Sequence, residues 1–105
     1  MNYPTQTIGD TTLVDSRVIS TRPCKVIDIM GMNNGAFCYV MIFELAAVPA
    51  NGTAARFVFP AQANFGWSMG ESVDLAACCV AYSSTVATLT ITADTRGTIQ
   101  GLIKQ

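Results

Sequence analysis

Four cysteines and seven carboxylates are the side chains of this 105-residue chain that could do chemistry, and there is no histidine to work with them. A cysteine attacks as its thiolate, which a histidine or a strong cationic neighbour brings within reach of neutral pH. Here the only adjacent cation is Lys25, beside Cys24. Cys38 follows fourteen residues later and Cys78 and Cys79 are neighbours, so none of them forms the Cys-x-x-Cys pair typical of a zinc site. Free cysteine packs as a small apolar side chain, and the four read as reduced thiols in a core, formed in a reducing compartment such as the cytosol. Glu71 and Asp74 are the closest acidic pair. Paired carboxylates act as acid and base only at a defined separation in space, which closeness in sequence does not supply. Neither Gly-x-x-x-x-Gly-Lys nor Gly-x-Gly-x-x-Gly occurs, so no phosphate loop is signalled. The expectation is a protein that is not an enzyme and needs neither metal nor cofactor.

Charge narrows the partners. Arg17, Arg22, Lys25, Arg56, Arg96 and Lys104 are scattered, and with a net charge of −1 they make no basic patch for nucleic acid. No run approaches the roughly 20 apolar residues of a membrane helix, and the first residues lack the basic and apolar regions of a signal peptide, so neither membrane insertion nor export by that route is expected. Only 12% of residues are charged and 50% are hydrophobic. Little repulsion then opposes association, which favours a homo-oligomer or a component of a larger assembly.

The elements that would position these residues are strands. Residues 1–11 are polar, carry Pro4 and Gly9, and read as an extended arm able to lie on a neighbouring subunit. Residues 12–105 read as one domain. Thr12 to Ser20 forms a strand or a broken pair of strands, stopped at Pro23. Cys24 to Met32 and Phe37 to Leu45 are expected to pair as a hairpin across Asn33-Asn34-Gly35, the second strand being apolar on both faces as a central strand should be. Pro49 and Asn51-Gly52 mark a turn-bearing loop. A strand then runs over Ala54 to Phe59 and ends at Pro60. Asn64 to Gly70 sets Phe65, Trp67 and Met69 on one side of a strand, and Asp74 to Ser83 favours strand over helix. Alternation is clearest at Ala87, Leu89 and Ile91 against Thr88, Thr90 and Thr92, predicting a half-buried strand. Thr98 to Ile103 closes the domain. About seven to nine short strands spaced by turn residues make an all-β, antiparallel β-sandwich or jelly roll.

The aromatic and methionine side chains suit packing in cores and interfaces. Tyr3, Pro4, Phe65, Trp67 and Met69 are the candidate interface residues. A shallow groove with Trp67 or Tyr82 exposed beside Asn64 would instead suit a carbohydrate.

Ile29-Met30-Gly31-Met32-Asn33-Asn34, then Tyr39 to Glu44, then Ala46 to Thr53, then Phe57-Val58-Phe59-Pro60, with Ser83 to Leu89 later, together resemble a family of small virion-associated proteins of tailed bacteriophages. The similarity covers residues 13 to 103 and rests on turn and core patterns. It implies a structural role as a capsid decoration or cement protein. The protein would be made in the host cytoplasm, would bind the major capsid protein at the capsid surface, and would preferably be a trimer. The rival implied by the same fold is a receptor- or carbohydrate-binding module of a tail fibre or baseplate.

Overall fold

Gly97–Lys104 alternates without a break, with Gly97, Ile99, Gly101 and Ile103 buried and Thr98, Gln100, Leu102 and Lys104 turned outward. Such a strand has one face on a core and one face out. The computed structural model describes residues 5–61 and 65–105, with the side chains of all but 67–71. Among these residues lie eight strands: β1 (Thr5–Val14), β2 (Ser16–Ser20), β3 (Cys24–Gly31), β4 (Cys38–Phe43), β5 (Phe57–Ala61), β6 (Phe65–Leu75), β7 (Cys78–Ser83) and β8 (Gly97–Lys104).

They form two antiparallel four-stranded sheets, ordered β1-β8-β3-β6 and β2-β7-β4-β5. First pairs with last, second with seventh, third with sixth and fourth with fifth. That is the pattern of one long hairpin rolled up. Rolling brings β3 onto β8 and β4 onto β7, which closes each sheet. The all-β sandwich is therefore a jelly roll.

Between the sheets lies the main core. β4 contributes Cys38, Val40 and Ile42, β7 contributes Cys78, Val80 and Tyr82, and from the other sheet come Val26, Ile29, Leu75, Ile99 and Ile103. Met41, Phe43, Cys79 and Ala81 point the opposite way from β4 and β7, yet they too are buried. The cover is a second layer, in which Leu89 is buried and Val48, Ala55 and Ile91 pack at its margin. β4 is thus apolar on both faces because both are covered, as its sequence predicts.

Four expectations are corrected. Cys24–Met32 and Phe37–Leu45 do not form a hairpin, because β3 and β4 belong to different sheets. A tight two-residue hairpin turn needs positive φ, and among the described residues only Gly9 and Gly52 have it. The Asn33 carboxamide instead bends the chain from one sheet to the other. Its Oδ1 accepts the Gly35 N–H at 2.8 Å, and its Nδ2 donates to the carbonyls of Ala36 and Ala61 at 3.1 and 3.0 Å.

The alternating stretch around Leu89 is not a strand. Its alternation is real, since Leu89 is buried, but the backbone hydrogen-bonds to turns. Leu89 N–H donates to the Thr53 carbonyl at 2.8 Å, Gly52 N–H donates to the Leu89 carbonyl at 2.7 Å, and Ile91 N–H donates to Asn51 Oδ1 at 3.0 Å. Buried Ser83 secures the near end, its Oγ accepting from Thr90 N–H at 2.9 Å and donating to the Thr85 carbonyl at 2.8 Å. The third correction concerns the polar arm. From Thr5 onward it is strand β1, paired with β8 from Thr5 opposite Lys104 to Asp10 opposite Ile99. Pro60, expected to end its strand, lies inside β5 opposite Tyr39; β5 is an edge strand, where a missing N–H is tolerated.

Candidate interaction surface

All four cysteines are free and buried. Burial pushes the Cys78 thiol up to about 12, with the neighbouring Cys24 and Cys79 thiols adding to it, and pushes Cys79 up to about 11. Cys24 and Cys38 are raised by burial as well, and at Cys24 a hydrogen bond with Ser20 works against the rise while Asp74 adds to it. Neutral thiols in a core are poor nucleophiles. Lys25 does not serve Cys24; its Nζ lies 3.6 Å from Asp74 at the surface. That ion pair also engages one member of the Glu71 and Asp74 pair, while the Glu71 side chain lies outside the described residues.

A shallow groove of about 360 Å³ runs beside Phe43, Leu45 and Thr53, with Glu44 and Arg56 in its wall. Both Glu44 oxygens are engaged: Oε1 accepts from Arg56 Nη1 at 2.6 Å and Oε2 accepts the Ala76 N–H at 2.8 Å. The Arg56 guanidinium also lies 5.5 Å from the centre of the Phe57 ring. This carboxylate ties three segments together, a structural clamp. Among the described residues no group of three or more Cys, Asp or Glu could hold a metal ion.

The aromatic candidates divide. The Phe65 ring stands edge-on to Phe59 at 5.5 Å and to Tyr82 at 6.1 Å, partly buried against the main core. Tyr82 is fully buried and donates its hydroxyl to the Thr98 carbonyl at 2.6 Å, so it can line no surface groove. Burial raises its phenol above the ordinary value, Cys38 adding to the effect. Tyr3, Pro4, Asn64 and the side chains of Trp67 and Met69 lie outside the described residues.

What the sequence reading missed is the outer face of the β1-β8-β3-β6 sheet. Thr98, Gln100 and Leu102 point out of it from β8. Register places Gln100 beside Met30, and Leu102 between Thr7 and Asp28. At one end Met32, whose N–H donates to Thr98 Oγ1 at 2.9 Å, is 55% exposed, and Leu13, next to the Val14 that pairs with Gly97, is 47% exposed. At the other end stand the exposed Lys25 and Lys104, opposite each other in the register. No segment of the described chain covers this face, whereas the matching face of the other sheet is covered by the layer around Leu89. A cue existed in the paired methionines at 30 and 32, spaced to share one side of a strand. Compared with models of known protein families, with curated proteins and with solved structures, the chain matches none.

Proposed function

We propose that this chain is a structural protein of a phage particle, a decoration or cement protein that packs against the major capsid protein on the assembled head. The observation that carries this reading is the uncovered outer face of the β1-β8-β3-β6 sheet, with Met30, Met32, Leu13 and Leu102 on it and Asp28 in their midst. Methionine adapts to irregular partner surfaces, and exposed apolar groups grouped on one face mark a contact surface. Eight-stranded jelly rolls serve as shell domains and as lectins, so the fold is compatible with this role without selecting it.

In this reading the protein makes and breaks no covalent bond. Binding only the closed shell, it stabilises that shell by mass action, since disruption must first lose the bound copies. It is made in the host cytoplasm and ends on the capsid surface, and several copies act together.

Heads prepared without the protein test this directly. Added protein is expected to saturate them in co-sedimentation and to raise their disruption temperature, and Met30→Lys with Met32→Lys is expected to weaken binding at least tenfold. Failure of the wild-type protein to sediment with heads overturns the reading. A second reading rests on Phe37, which is 68% exposed and edge-on to Tyr39 at 5.4 Å, an aromatic surface on which a sugar could stack. Retention of the protein on host surface polysaccharide, lost in Phe37→Ala, is the outcome that would put a receptor-binding module in place of the cement protein.

A further inference from the structure

Each sheet ends in two edge strands, β1 and β6 in one and β2 and β5 in the other. An edge presents unpaired backbone groups, and proteins ordinarily blunt it with charge, proline, irregularity or shortness. Three of the four edges carry such a device. The five-residue β2 holds Arg17, and the equally short β5 holds Pro60. β6 carries Glu71 and Asp74 and slips in register, from Val73 opposite Val26 to Ser68 opposite Asp28.

β1 is blunted over half its length only. Asp10 Oδ1 accepts the Thr12 N–H at 2.9 Å and Arg17 Nη2 at 3.1 Å, and the register with β8 breaks between Asp10 and Val14. Below that point Thr5-Gln6-Thr7-Ile8 runs in unbroken register with β8 up to Gly9, whose positive φ bends the strand. The segment contains no charge and no proline, and exposes Thr5, Gln6 and Thr7. Its other side, which no described strand pairs, fits an extended strand whose main-chain groups would complete the ladder.

We propose that Thr5–Gly9 pairs antiparallel with the same segment of a second copy of this chain, about a two-fold axis at Thr7. The segment is complementary to itself. Thr7 meets Thr7 and Gln6 meets Ile8, the pairing ends where Thr5 reaches Gly9, whose φ of 102° bends the strand, and no like charges are opposed. Cross-strand threonine pairs are favourable, and a chain with net charge −1 offers little long-range repulsion. Two four-stranded sheets become one continuous sheet, doubling the uncovered face that carries Met30 and Met32. Edge pairing of this kind is two-fold by geometry, so it yields a dimer in place of the trimer expected from the sequence. The inference stands independently of the capsid reading.

Sedimentation equilibrium and oxidative cross-linking test it together. The wild-type protein is expected at twice the chain mass. Thr7→Cys should cross-link to a dimer through a single new exposed thiol, the native four being buried. Thr7→Lys, which sets two ammonium groups against each other, should weaken self-association at least tenfold with an unchanged unfolding midpoint at limiting dilution, while Val86→Lys, at an exposed residue away from β1, should leave the dimer intact. A wild-type monomer or trimer, a Thr7→Cys protein that does not cross-link, or a Thr7→Lys protein as dimeric as wild type would overturn the proposal. Saturable binding of a monomer to heads would overturn it too, while leaving the proposed function standing.

Discussion

Gly97 sits where the ends of three strands meet. It pairs with Val14 of β1, bridges to Asn33 after β3, and begins β8. A Cβ placed there would fall inside van der Waals contact of the Met32 carbonyl oxygen and 2.6 Å from the Tyr82 hydroxyl. That hydroxyl is held by the Thr98 carbonyl in the core, so it has little room to retreat. Gly66, on β6, has no atom of the described residues within 4 Å of the same position. Gly97→Ala is accordingly expected to destabilise the fold by about 2 kcal/mol or more, and Gly66→Ala to change it by less than about 0.5 kcal/mol, both read from urea unfolding midpoints. Equal effects would refute the crowding assigned to Gly97. From the sequence both are simply glycines near turns or strands; the difference lies in what surrounds them.

Among the elements, the segment between Ser83 and Gly97 is the most instructive. Its alternating Leu, Ile and Thr residues have the period of a strand, and Leu89 is buried as the alternation predicts, yet no described strand pairs with its backbone. Turns at Asn51 to Thr53 and at Ser83 take its hydrogen bonds instead, and it serves as a lid over Met41, Phe43, Cys79 and Ala81. Truncating a buried leucine costs about 2–5 kcal/mol, and here the loss is concentrated in the lid. Leu89→Ala should therefore make Cys79 react with a thiol reagent under native conditions well ahead of Cys78, which lies on the other face of β7 in the main core. Mass mapping of the labelled cysteines checks this. Simultaneous labelling of both would mean that the lid and the sandwich open as one unit.

For the whole molecule, the thiols couple stability to alkaline pH. Their folded pKa values are raised above the ordinary value of 9.0, to about 12 at Cys78 and about 11 at Cys79. A raised value means that the folded state keeps its protons where the unfolded chain releases them. This contribution is fully present below pH 9 and is lost as pH rises toward 11 to 12. Raising pH from 8 to 10.5 is expected to lower unfolding free energy by more than about 1 kcal/mol, and replacing both Cys78 and Cys79 by alanine should flatten that dependence. An equally steep profile in the double variant would place the alkaline sensitivity elsewhere. At the same scale, one sheet face is sealed by the chain's own lid and the other is left uncovered by the described residues, and this asymmetry connects the fold to the proposed packing role.

Local patterning determined the all-β class, the strands around Val40, Val80 and Ile99, the turn at Asn51-Gly52 and the burial of four cysteines, because each follows from alternation, β-branching or turn chemistry within a few residues. The Lys25 and Cys24 pairing and the aromatic set carried no such local rule, and tertiary contacts settled them by sending Lys25 to Asp74 and Tyr82 to the Thr98 carbonyl. Which strands pair was decided only by the tertiary structure. Asn33-Asn34-Gly35 offers hairpin chemistry, but β3 takes β6 and β8 as partners while β4 takes β5 and β7, so the two strands lie in different sheets. The bare outer face of one sheet arises in the same way. Sequence alternation says that a strand has two faces; whether the second meets a lid, a partner or water depends on segments distant in the chain.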